Sequence, residues 1–135
     1  MRRILSALAA AGAALALCLV PVGPASAFGG ETLDCAVGPG ALSHGVCSPH
    51  QIASPVGISF LVGNLSGSGY SFSWTLSGRA TITQGCTSTT DYCWLTSGTA
   101  SDHEVTASVT VTQNGSSETL SATAQVFAVC GKFWC

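Results

Sequence analysis

The residues of this chain that could do chemistry fall into three small groups. Cys35, His44, Cys47 and His50 lie close together, with two residues between each of the last three. Cysteine and histidine at such intervals can hold zinc. Asp102-His103-Glu104 places acids on both sides of a histidine, and serines are abundant. A hydrolase needs a nucleophile, a base within reach of it and a third group to orient the base. Finally, Tyr92, Trp94, Phe133 and Trp134 stand beside cysteines in short segments. Aromatic rings held near a disulfide can form an exposed platform on which sugars or peptides stack, or they can cap the open end of a small core.

Each group must be set against what would position it. The first 27 residues carry Arg2 and Arg3, an apolar run from Ile4 to Val20, the breakers Pro21, Gly23 and Pro24, and then Ala25-Ser26-Ala27. Charge, apolar run, breaker and small residues in that order read as a cleavable secretory signal. The run sits at the short limit for a membrane span and lacks a basic flank at its far end. Cys18 is removed with the leader and follows Leu17, where a lipoprotein signal would have a small residue. The mature chain is therefore expected to begin at Phe28, to be secreted, and to stay free of the membrane.

An exported chain with six remaining cysteines, Cys35, Cys47, Cys86, Cys93, Cys130 and Cys135, is read as a disulfide framework, because that compartment is oxidising. Spacing favours the local pairs 35–47, 86–93 and 130–135. A tie of 35 to 130 stays open. The 86–93 pair closes a short polar loop and should stabilise the fold by roughly 2–3 kcal/mol. Disulfide bonding of Cys35 and Cys47 takes away the zinc reading, so no metal and no cofactor are expected.

The acid–base group weakens for a geometric reason. Neighbouring residues on a strand point to opposite faces, so Asp102 cannot orient His103 in the usual way. No G-x-S-x-G elbow occurs either. We read the protein as no enzyme. Beyond the leader only Arg79 and Lys132 are basic, against Glu31, Asp34, Asp91, Asp102, Glu104 and Glu118. That balance lacks the basic patch that nucleic-acid backbones require.

Residues 28–135 are expected to form a single domain. From Phe28 to Pro55 the chain is rich in Gly, Pro, Ser and Cys without a period, and reads as an irregular, disulfide-pinned stretch with one short strand near Leu33–Val37. From Val56 the period becomes two, the signal of half-buried strands. Val56, Ile58, Phe60 and Val62 alternate with Gly57, Ser59, Leu61 and Gly63. Tyr70, Phe72, Trp74 and Leu76 alternate with Ser and Thr, and the three aromatics should face the core. Shorter strands are expected at Arg79–Gln84 and Asp91–Thr96. Two long ones follow, through Val105–Val111 and Leu120–Ala128, with Asn114-Gly115 as the hairpin turn between them. No helical periodicity appears. The fold class is all-β, with six or seven strands in an antiparallel sandwich.

The stretch from about Val56 to Val129 resembles the immunoglobulin-like and PKD-like domains of bacterial exported proteins. The resemblance rests on Tyr70-Ser-Phe-Ser-Trp74 as a third-strand motif and on the hairpin of Glu104–Gln113 with Glu118–Ala128. Where antibody domains carry their inter-sheet cysteines, this chain has Phe60 or Val62, and Val109. As a whole the chain also resembles short exported proteins of actinobacteria. Such domains serve as spacers, adhesins and binding modules, which implies fold more than function.

These readings converge on a monomeric, secreted, non-catalytic binding or structural module. Its candidate ligand residues are Tyr92, Trp94, Phe133 and Trp134, and its partner would be a cell-wall polysaccharide or another extracellular protein. A flat Ser/Thr face on the last two strands could add a polysaccharide contact. The alternative is a secreted effector such as a protease inhibitor that presents the Cys86–Cys93 loop.

Overall fold

The computed structural model describes residues 28–135, and the expected export signal, 1–27, lies outside the described residues. The described chain is all-β, without a helix. Its strands are β1 (Thr32–Val37), β2 (Ser43–His44), β3 (Val46–Cys47), β4 (Val56–Gly63), β5 (Ser71–Ser77), β6 (Thr81–Gly85), β7 (Tyr92–Ser97), β8 (His103–Gln113), β9 (Ser116–Val126), β10 (Val129–Cys130) and β11 (Phe133–Trp134). A five-stranded sheet has the order β2-β1-β4-β7-β6, a four-stranded sheet the order β3-β9-β8-β5, and β10 pairs with β11 alone. Every pairing is antiparallel except β3 with β9.

The period-two runs explain the core. Val56, Ile58, Phe60 and Val62 of β4 point inward, as do Val105, Ala107, Val109 and Val111 of β8 and Ala122, Ala124 and Val126 of β9. Phe60 and Val109 are fully buried. The β8–β9 hairpin turns on Asn114-Gly115, both at positive φ (51° and 83°), as a two-residue hairpin of this hand requires. Strand β9 stops at Val126, short of the expected Ala128. The Ala128 amide instead donates to Asp102 Oδ1 at 2.6 Å, and the chain leaves the sheet there.

The N-terminal stretch is more ordered than its composition suggests. After β1 pairs with β4, the chain passes through β2 and turns at Gly45 (φ 77°). It then runs along β9 as β3, so it changes sheets within a few residues. The disulfide Cys35–Cys47 therefore joins the two sheets, with both cysteines buried. The other bridges are Cys86–Cys93 and Cys130–Cys135. Three intrachain disulfides are typical of extracellular proteins.

Strand β5 departs from its expected burial. Phe72 enters the core, but Tyr70 and Trp74 only pack against it, half-buried. The reason is position: β5 is the outer strand of its sheet and has a neighbour, β8, on one side only. Trp74 Nε1 donates to the Thr90 carbonyl at 3.1 Å, and the Phe72 amide donates to the Ser88 carbonyl at 3.0 Å. The Cys86–Cys93 loop is thus stitched across to the opposite sheet.

Candidate functional site

The four candidate aromatics separate into two places. Tyr92 and Trp94 lie on β7, whose alternation sends Cys93, Leu95 and Ser97 into the core and Tyr92, Trp94 and Thr96 onto the outer face of the five-stranded sheet. Trp134 belongs to the C-terminal hairpin, where it meets Phe127 edge-on at 5.8 Å. Phe133 in that hairpin is 74% exposed. Neither place caps the core. The hairpin is anchored by the Val129 amide on the Thr99 carbonyl and by its own disulfide.

Trp94 is 47% exposed in the middle of a strand flanked on both sides, and its neighbours explain how. Across the sheet it stands opposite Ser59, which in turn stands opposite Ala36, while Gly57 is opposite Thr96. On the β4 side these side chains are too small to cover the indole, and on the β6 side its partner is Gln84. Tyr92 leans on it from one side, with centroids 5.2 Å apart and planes 44° apart. The Tyr92 ring is held in turn by Gln84, whose Nε2 donates to Oη at 3.2 Å. Gly85 lies beneath this ring. A Cβ there would come within 2.6 and 2.7 Å of Cδ2 and Cε2 and would also strike the Tyr92 carbonyl oxygen. A side chain at position 85 would therefore displace the Tyr92 ring.

A shallow groove opens on each side of Trp94. One, of about 290 Å³, is lined by Ala36, Leu42, Leu61 and Tyr92, and the other, of about 300 Å³, by Gly57, Thr83 and Thr96. Both share Gly38, Ser59 and Trp94, and no charged side chain lines either one. The surface can stack a flat ring and offer hydroxyl groups around it. It holds no group suited to acid–base work.

The acid–base residues do form a contact that spacing could not reveal. His103 Nε2 lies 2.8 Å from Ser97 Oγ, and its Nδ1 lies 2.8 Å from the Ser101 carbonyl oxygen. That carbonyl can only accept, so Nδ1 carries a proton, while the single hydroxyl proton of Ser97 goes to the Arg79 carbonyl and not to Nε2. A serine paired with an oriented histidine is the arrangement of an activated nucleophile. Two observations assign it instead to the end of the core. Ser97 is 2% exposed on the inward side of β7, and its Oγ also lies 2.5 Å from the Arg79 carbonyl. A pocket of about 120 Å³ beside His103 is lined by Arg79, Gly98, Ala100 and Ser101, and Ser97 does not reach it. Asp102 lies just before β8 and not on it, and its Oδ1 accepts from the Ala128 amide.

Of the metal-type group, Cys35 and Cys47 are consumed in their bridge, and His44 Nδ1 contacts Asp34 Oδ1 at 3.1 Å. The described residues contain no cluster of three or more metal-type ligands. On the last two strands the outer hydroxyls pair across the hairpin: Thr106 with Thr123, Ser108 with Ser121, Thr110 with Thr119 and Thr112 with Ser117, at 2.8–3.3 Å. No family model, no curated protein and no solved structure matches this chain.

Proposed function

We propose that this protein is a secreted, non-catalytic binding module of the immunoglobulin-like class, working as a monomer. Its contact surface is the outer face of the five-stranded sheet around Trp94. The fold assignment is supported by strand order. The sheets β1-β4-β7-β6 and β5-β8-β9, with β2 and β3 as additions at their edges, match the four-plus-three arrangement of immunoglobulin constant domains. Export is supported by the leader-like segment 1–27 and by the three disulfides.

The observation that carries the function is the half-exposed Trp94, met by small residues on its β4 side and flanked by two open grooves. Large aromatics left uncovered in the middle of a sheet cost solvation, and contact residues are enriched in Trp and Tyr. The Cys86–Cys93 loop is a weaker candidate, because the carbonyls of Ser88 and Thr90 are taken up by β5.

Trp94→Ala and Trp74→Ala test this reading together. Trp94→Ala should leave Tm within about 4 °C of the parent, as surface substitutions do, while abolishing retention on cell-wall polysaccharide. Trp74→Ala should cost about 2–3 kcal/mol, less than a fully buried ring, because it is half-covered. Thermal melts and pull-down on cell-wall material read both. If Trp94→Ala is retained like the parent, this face is not the contact surface.

A further inference from the structure

We propose that the ligand is an extended, uncharged glycan chain lying obliquely over the strands and straddling Trp94, with one part in each groove, on the Tyr92 side and on the Thr96 side. This rests on the reading of the Trp94 face as the contact surface. The two grooves are not independent sites, because Gly38, Ser59 and Trp94 belong to both. Together they run over β1, β4, β7 and β6, three gaps between neighbouring strands, or about 14 Å at the usual strand spacing. A single sugar ring stacked on the indole would leave at least one groove empty. A chain stacked there at its middle would fill both.

The chemistry of the lining selects the class of chain. Neither groove offers a charged side chain, so an anionic polymer would shed water from its carboxylates or phosphates and find no counter-charge. The walls are amphipathic. Leu42, Leu61, Tyr92 and Trp94 supply apolar surface, and Ser59, Thr83 and Thr96 supply hydroxyls. A pyranose ring has the matching character, with an apolar C–H face and a hydroxyl rim. An extended peptide fits less well. It binds sheets by pairing its amides with an open edge, whereas here the backbone of β4 and β7 is already paired on both sides.

Gly57 keeps the second groove open. It is the second residue of β4, opposite Thr96, and a Cβ built there meets nothing within 4 Å. Gly57→Leu should therefore fill that groove without disturbing the fold and without touching Trp94's other side.

The experiment titrates the disulfide-intact protein with uncharged β-glucan, chitin, mannan and α-glucan oligosaccharides, from monosaccharide to hexasaccharide, and with polygalacturonate as the charged arm. Intrinsic Trp fluorescence and calorimetry give the affinities. For at least one uncharged series, affinity should rise by about tenfold or more between the monosaccharide and the longer chains. Gly57→Leu should reduce the longer chains to the affinity of the short ones, and Trp94→Ala should abolish binding of all of them. Affinity independent of length, or unchanged by Gly57→Leu while lost in Trp94→Ala, overturns the straddling chain but leaves the Trp94 face standing. Preference for polygalacturonate, or Trp94-dependent capture of a peptide in place of any glycan, overturns the ligand class. Binding that survives Trp94→Ala overturns the contact surface itself, and no binding by any uncharged series overturns the glycan proposal.

Discussion

Glu31 is the residue whose environment differs most from its place in the sequence. It lies just before β1 and is only 6% exposed. Its Oε2 accepts from the Gly29 amide at 2.8 Å, and its Oε1 accepts from the Tyr70 hydroxyl at 3.1 Å. Burial opposes its ionisation, but the amides of Gly29, Glu31 and Gly30 and the Tyr70 hydroxyl outweigh burial and hold the carboxyl below its ordinary value. A carboxyl that titrates lower when folded than when unfolded stabilises the fold above the unfolded value, and the gain disappears as pH falls through the folded one. Glu31→Gln should therefore lower Tm by a few degrees at neutral pH. The gap to the parent should narrow as pH falls below about 4.3, the ordinary range of a glutamate. Thermal melts from neutral to acid pH check this, and a gap that stays constant with pH would assign Glu31 a purely steric role.

Among the elements, the Cys86–Cys93 loop shows how a local staple and long-range hydrogen bonds act together. The bridge closes the loop, and the Phe72 amide and Trp74 indole then fix it against β5. Replacing both cysteines by Ser should cost about 2–3 kcal/mol on the chain-entropy view. It should also loosen the start of β7, where Cys93 sits fully buried directly before Trp94. Denaturant melts give the cost. Hydrogen exchange should show faster exchange at Val62, whose amide donates to the Asp91 carbonyl, and at Phe72. Unchanged exchange there would mean that the hydrogen bonds to β5 hold the loop without the bridge. The strand itself was legible in Tyr92-Cys-Trp-Leu-Thr-Ser97, but its inward side was not, because apolar residues stand on both sides of the alternation.

At the scale of the whole molecule, Cys35–Cys47 is the bridge with the widest reach. It spans few residues in sequence, yet it joins β1 of the five-stranded sheet to β3 of the four-stranded one. Both sulfurs are buried with the core, so Cys35→Ala with Cys47→Ala should cost about 3 kcal/mol in lost constraint, with a further loss from the cavity. The double variant should unfold at lower denaturant and release β3 first, seen as early exchange of the Thr123 amide, which donates to the Gly45 carbonyl at 2.7 Å. Uniform loss of protection over both sheets would show instead that the bridge acts on the fold as one unit.

What the sequence by itself determined is what depends on near neighbours. Alternation marked β4, β5, β8 and β9, Asn114-Gly115 marked the hairpin, and short separations pointed to the three cysteine pairs. Period two divides a strand's residues into two sets but does not say which set packs. For β8 only one set is apolar, and for β4 one set is apolar throughout while the other holds only Leu61, so the core followed directly. For β7 both sets are, and burial of Cys93 against Phe60, its partner on β4, decided that Trp94 faces out. The contact of Ser97 with His103 and the burial of Glu31 against Tyr70 join residues through the closing of one sheet on the other. Those contacts exist only once the two sheets are packed, and so only the tertiary structure could decide them.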